Sequence, residues 1–261
     1  MSSKTYTLIT GASGGIGLNL AEQAAADGKN LILVARSVDK LEKIAASLAE
    51  KFHIEVQIFD TDLSVEEDVT KLINELVAKQ LDIDVLINNA GFGDFGDFVE
   101  ADLSKNLEMI RLNISALTHL THFALQAMKK SGKGRIMNVA STASFMPGPG
   151  MAVYYASKAY VLSFTEALVR ELKNKNITVT TLCPGPTDTG FALTSGLGKS
   201  LMHRMLPPAT SEAVAIAGYK AMMNGKSLVI PGLMNKMSAM TPRFLPRSIV
   251  RNMIYNIHKS H

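Results

Sequence analysis

The chain has 261 residues, 47% hydrophobic and 19% charged, with a formal net charge of +4. That is enough apolar chain for a substantial core, and it excludes a disordered or collagen-like protein. The charge is unevenly placed: after Glu212 there is no Asp or Glu, while Lys220, Lys226, Lys236, Arg243, Arg247, Arg251 and Lys259 remain. With those seven set aside from the 27 Lys and Arg, the preceding chain sets 20 cations against 23 acids. A nucleic-acid footprint over the whole fold is therefore not expected. The single cysteine, Cys183, cannot close an internal disulfide, and no apolar run approaches the ~18 residues of a membrane span. The first residues enter a strand pattern directly, without a leader pattern, so a cytoplasmic protein is expected.

Short apolar strand-type runs alternate with helical i, i+3, i+4 patterns. Strands are predicted at Thr5–Thr10, Asn30–Ala35, Ile54–Phe59, Asp84–Asn88, Arg135–Ala140, Ile177–Cys183 and Ser227–Ile230. The helical patterns between them fall near 15–27, 38–51, 65–80, 104–130, 154–174 and 211–224. Strands apolar on both faces and separated by crossover helices predict an α/β fold. Its core is a doubly wound parallel sheet of about seven strands, Rossmann-type, with helices on both faces. No linker or repeat interrupts the rhythm, so residues 1–261 are expected to form one domain. A Gly-, Ser- and Met-containing stretch at about 190–210 is too long for an ordinary loop and is expected to be a substrate lid. The basic segment from about 233 to 261 interleaves apolar residues with cations. It either packs on the fold or on another subunit, or rests on an anionic membrane surface.

Directly after the first strand comes Gly11-Ala12-Ser13-Gly14-Gly15-Ile16-Gly17, opening a helix. Glycines there let backbone N–H groups approach a pyrophosphate at the helix N-terminus, although the spacing is not G-x-G-x-x-G. The second strand ends in Ala35-Arg36 where an NAD site would place an acid. A guanidinium suits a 2′-phosphate, which favours NADP(H), with Ser13 as a second donor; the alternative is a solvated loop arginine. Tyr154 and Lys158 stand four apart, on one helix face, and Tyr155 competes at i, i+3 from Lys158. A phenol titrating near pH ~10 needs a neighbouring cation to do acid/base work at neutral pH. Cys183 reads as a core residue, and His119 with His122 lacks the companions of a metal site, so no metal is expected.

Taken together, these residues resemble the short-chain dehydrogenase/reductase family. The resemblance rests on TGASGGIG at 10–17, Asp62-Leu63, Asn88-Asn89-Ala90-Gly91, Asn113, Ser141, Tyr154 with Lys158, and Pro184-Gly185. The spacing of Ser141 to Tyr154 selects Tyr154 over Tyr155. The resemblance implies NADPH bound by Gly11, Ser13, Gly15, Ile16 and Gly17 at its phosphates and by Arg36 at its 2′-phosphate. It further implies Asp62 and Leu63 at the adenine, Asn89 at the adjoining ribose and Thr187 at the nicotinamide carboxamide, with Pro184 and Gly185 also binding the cofactor. Ser141 would bind the substrate carbonyl and Tyr154 protonate it. Lys158 would hold the nicotinamide ribose and lower the tyrosine pKa, with Asn113 supporting a water-linked proton route. The implied partners are a small apolar carbonyl or alcohol substrate and a second copy of the chain, in a homodimer or homotetramer. A catalytically silent NADPH sensor and a membrane-peripheral reductase stand as alternatives.

Overall fold

In the computed structural model, residues 4–191 and 208–259 are described. The first half runs β1 (Thr5–Thr10), α1 (Gly15–Ala26), β2 (Asn30–Ala35), α2 (Val38–Phe52), β3 (Val56–Asp60), α3 (Glu66–Ala78) and β4 (Asp82–Asn88). There follow α4 (Leu103–Ile110), a π-helical turn (Arg111–Ala116), α5 (Leu117–Ser131), β5 (Gly134–Val139), a 3-10 turn (Thr142–Phe145), α6 (Ala152–Glu171) and β6 (Ile177–Leu182). Two short strands, β7 (Thr187–Asp188) and β8 (Ala209–Thr210), pair with each other. The chain then forms α7 (Ser211–Met223), β9 (Leu228–Val229), α8 (Leu233–Met240), a 3-10 turn (Thr241–Arg243) and α9 (Arg247–Lys259). The stretch expected to be a lid falls largely on residues 192–207, outside the described residues.

The main sheet has seven strands in the order β3-β2-β1-β4-β5-β6-β9, every neighbouring pair parallel. This is the expected doubly wound Rossmann-type α/β fold. Its strands are apolar on both faces because successive side chains enter different cores. Leu8, Ile32, Leu86 and Ile136 pack with Leu72 of α3, Leu120 of α5 and Leu168 of α6. Their sequence neighbours Ile9, Leu33, Ile87 and Met137 pack with Leu20 of α1, Leu41 of α2 and Met222 of α7 on the opposite face. At ~25 cal/mol per Å² of apolar surface removed from water, each such buried Leu or Ile contributes about 2 kcal/mol.

Strand order reverses between β1 and β4, and a crevice opens beyond the carboxyl ends of strands at such a switch point. The glycine turn after β1 and Asn89 after β4 are therefore brought together there. The tail helix is seated on the fold: Val250, Ile254 and His258 of α9 are buried and Ile257 is half-buried, at i, i+4, i+7 and i+8. Val250 and Ile254 share a core cluster with Met109, Met151, Tyr154 and Tyr155. The tail thus packs on the fold beside the tyrosine pair.

Candidate active site

A cleft of about 860 Å³ runs from the glycine turn to the tail helices. At one end it is lined by Gly11, Ser13, Gly14, Gly15 and Ile16. Gly15 has φ +55, a conformation that costs an L side chain energy, and a Cβ on Gly17 would strike the Gly11 carbonyl oxygen. Gly17 is not in the cleft lining and serves the packing of the turn. Among the described residues nothing lies within 4 Å of where a Gly14 Cβ would sit. A glycine-edged opening at the N-terminus of α1 fits a pyrophosphate.

Thr10 and Asn89 hold this turn to β4. The Thr10 Oγ1 accepts from the backbone N–H groups of Asn89 and Ala90, both at 3.0 Å. The Asn89 amide donates to the carbonyls of Thr10 and Gly11 at 3.0 and 3.2 Å. Asn89 also lines the cleft, so the residue expected at a ribose braces the turn as well.

Arg36, Asp62 and Leu63 lie outside the cleft lining. The Arg36 guanidinium sits 3.8 Å from both Asp62 Oδ2 and Glu108 Oε1, and its side chain is exposed. Burial raises the Asp62 pKa, but hydrogen bonds from the Ser64 hydroxyl and N–H, joined by the Arg36 charge, hold it below its ordinary value. The Leu63 side chain is buried in the core with Phe59 and Val69, so an adenine would meet little of it. A cation that sequence reasoning passed over, Lys40 in the first turn of α2, does line the cleft.

Ser141, Tyr154, Lys158, Pro184, Gly185 and Thr187 line the middle of the cleft. Ser141 precedes the 3-10 turn as its N-cap, its Oγ accepting from Ala143 N–H at 3.1 Å and donating over 3.4 Å to the Pro184 carbonyl. The Thr187 hydroxyl donates to the Gly185 carbonyl at 2.9 Å. Lys158 is 5% exposed, donates to the Val139 carbonyl at 2.9 Å, and places Nζ 5.9 Å from the centroid of the Tyr154 ring. Tyr155 turns its hydroxyl to His258 Nε2 at 3.3 Å.

Asn113 lies in the π-helical turn, a distortion often found at functional positions and without a signal in the helical pattern of 104–130. Its amide donates to the Phe92 carbonyl and to Ser157 Oγ, both at 3.0 Å, and its Oδ1 accepts from Phe92 N–H at 3.2 Å. Asn113 Oδ1 and Lys158 Nζ both close on Gly91, 2.9 and 3.3 Å from where its Cβ would lie, so a side chain there would crowd them.

Burial pushes the Tyr154 phenol up to about 12, and the nearby Ser141 hydroxyl only partly opposes it. The expectation that Lys158 lowers this pKa is not met here. An amine 5.9 Å from the ring and engaged with Val139 does not offset desolvation of the phenolate. Burial also brings Lys158 down to about 8. The same cause pushes Cys183 up to about 12, which agrees with its reading as a core thiol. Among the described residues no cluster of three or more His, Cys, Asp or Glu is placed to hold a metal ion.

The far end of the cleft is apolar, lined by Met146, Met151, Tyr155, Phe191, Ile254 and Ile257, with Met234 and Ser238 of α8. The contribution of α8 and α9 was invisible to sequence reasoning. Their only trace was the apolar spacing of the tail.

The sequence profile of the family described as short chain dehydrogenase matches residues 5–199. A very-long-chain 3-oxoacyl-CoA reductase of Rattus norvegicus is 29% identical over 92% of this chain and 76% of its own. An inactive hydroxysteroid dehydrogenase-like protein 1 of Pongo abelii is 33% identical over 76% of this chain and 59% of its own. A short-chain dehydrogenase from Sphingobium yanoikuyae, solved in complex with NADPH, is 30% identical, with a TM-score of 0.82 over 98% of both chains. Profile, relatives and fold agree: the chain belongs to the short chain dehydrogenase family of oxidoreductases.

Proposed function

We propose that the protein is an NADPH-dependent carbonyl reductase, reversible as an alcohol dehydrogenase, acting on an apolar ketone or 3-oxoacyl-type substrate. The observation that carries this reading is the convergence of Ser141, Tyr154 and Lys158 on the cleft that the glycine turn borders. When bound, the reduced nicotinamide supplies a hydride. Burial keeps the Tyr154 phenol neutral at physiological pH, so it holds the proton that a carbonyl oxygen needs as it becomes an alkoxide. Ala143 N–H occupies one lone pair of Ser141 Oγ, while the hydroxyl proton is shared between a long 3.4 Å contact to the Pro184 carbonyl and the neighbouring Tyr154 oxygen. That proton can re-aim at the developing alkoxide. Asn113 and Lys158 both close on Gly91, and this nearness supports a water-linked path that returns a proton toward Tyr154.

Arg36 and Lys40 support a 2′-phosphate, and the Sphingobium relative described with NADPH supports the same choice. The apolar far end supports a hydrophobic substrate, as does the similarity to an oxoacyl-CoA reductase. Leu103, Leu107 and Ile110 form an exposed stripe on α4, with Tyr160 exposed on α6, and support assembly into a homo-oligomer. NADPH consumption measured with long-chain ketones, 3-oxoacyl thioesters and sterols tests the reading. Oxidation with at least one class, faster than with NADH, is expected. Tight NADPH binding without turnover on any class would replace the enzyme with a sensor.

A further inference from the structure

The tail covers the cleft with one side and leaves another side uncovered. On α8, Asn235 and Ala239 face the fold: Asn235 donates to the Pro231 carbonyl at 2.7 Å and packs on Gly185, and Ala239 is 2% exposed. On the opposite side Leu233, Met237 and Met240 form an exposed stripe at i, i+4 and i+7. Phe244, in the following turn, is 77% exposed, and Ile249 and Met253 are exposed one turn apart on α9. Six large apolar side chains on one short segment exceed the scattered exposure of an ordinary surface.

The charges on this segment itself have one sign. Lys236, Arg243, Arg247 and Arg251 are all exposed, and no acid follows Glu212 in the chain. Among the described residues none of the four forms an ion pair, since the pairs present use Lys4, Arg36, Lys71 and Lys105. Arg247 is the first residue of α9, where the helix dipole disfavours a cation and an acid is the usual choice, and no acid stands in that first turn. Folding alone gives no reason for cations there.

We propose that the outer face of α8, the turn at Thr241–Arg243 and α9 docks this protein on an anionic lipid bilayer surface. A second copy of the chain is a poorer occupant. A two-fold contact would set this face against itself, cation against cation with no acid to intervene. Anionic headgroups match the charges, and the apolar stripe seats at the headgroup boundary, the arrangement of an interfacial helix. The docking is peripheral, since no described helix is long and apolar enough to cross a membrane. Met234 and Ser238 of α8 and Ile254 and Ile257 of α9 also line the cleft. An apolar substrate partitioned into the bilayer would then reach the cleft along the two docked helices. The docking itself does not rest on the catalytic reading.

The test is flotation of the full chain with vesicles of phosphatidylcholine alone and of phosphatidylcholine with an equal amount of phosphatidylserine. Binding to the anionic vesicles, weakening as salt is raised, is expected, with little to the neutral ones. The triple change Arg243→Gln, Arg247→Gln, Arg251→Gln should lower the anionic partition coefficient about a hundredfold. Phe244→Ser with Met237→Ser should lower it with unchanged salt dependence. These positions lie outside the cleft lining, so turnover of a water-soluble ketone and the thermal midpoint should stay as in the parent. Equal recovery with both vesicle types, no flotation, or a parent-like partition of the triple variant would overturn the proposal. So would a dimer that dissociates on Phe244→Ser. Lost turnover with vesicle binding intact would bear on the catalytic reading alone.

Discussion

The Tyr155 hydroxyl and the His258 ring, 103 residues apart in sequence, meet at 3.3 Å and pin the last helix to the wall of the cleft. The geometry also assigns the tautomer. His258 Nδ1 lies 2.6 Å from the Pro149 carbonyl, which only accepts, so Nδ1 carries the proton and Nε2 accepts from Tyr155. Phe95 and Tyr155 each meet the ring edge-on at 5.8 Å.

His258→Ala should therefore loosen α9 without touching the glycine turn. It removes a 98%-buried ring and leaves two polar partners unsatisfied, a loss of about 2–4 kcal/mol. The thermal midpoint is expected to fall by roughly 5–15 °C. KM for an apolar substrate should rise several-fold while NADPH affinity holds. A drop in NADPH affinity matching the rise in KM would show that His258 acts on the whole fold rather than on this wall.

Arg36 and Lys40 should separate the two nicotinamide cofactors. Arg36→Asp is expected to weaken NADPH about 10- to 100-fold and leave NADH within about twofold, the effect of removing one exposed charge-assisted contact and adding a repulsion. Lys40→Met should act in the same direction, more weakly. Glu108→Gln removes a carboxylate 3.8 Å from the Arg36 guanidinium and should tighten NADPH slightly. Unchanged discrimination in Arg36→Asp, read by fluorescence titration with both cofactors, would reduce Arg36 to a surface ion pair.

The reduction rate should carry an alkaline limb. Burial disfavours the Lys158 ammonium and brings its pKa down to about 8, so the charged form is full below that pH and lost above it. Tyr154, pushed up to about 12 by burial, stays protonated across the same range and sets no limb there. kcat/KM for reduction is expected to fall tenfold per pH unit above about 8. Lys158→Met should be slow at every pH and lack the limb. A parent profile flat from pH 7 to 10 would remove Lys158 from the rate-determining protonation.

Much of the fold was legible because its signals are local. Both-face apolar runs such as Leu31–Val34 and Val85–Ile87 report a buried parallel strand without any knowledge of their partners. The glycine turn and the Tyr154–Lys158 spacing are likewise contained in a few residues. What escaped is set by distant packing. The π-helical turn around Asn113 depends on Phe92 and Ser157 from other elements. The far wall of the cleft depends on α8 and α9 returning across it, and no periodicity shows where a helix docks. The direction of the Tyr154 shift escaped for the same reason, since a motif gives the nearest cation but not the depth of burial.

The central claim is that Tyr154, and not its neighbour, delivers the proton. The direct measurement is NADPH-dependent carbonyl reduction by Tyr154→Phe and Tyr155→Phe, with NADPH affinity measured on both. Tyr154→Phe is expected to lose about 10²- to 10⁴-fold in kcat while binding NADPH within about twofold of the parent. Tyr155→Phe, which gives up only the His258 contact, should keep kcat within a few-fold and shift KM. Full turnover by Tyr154→Phe would contradict the account.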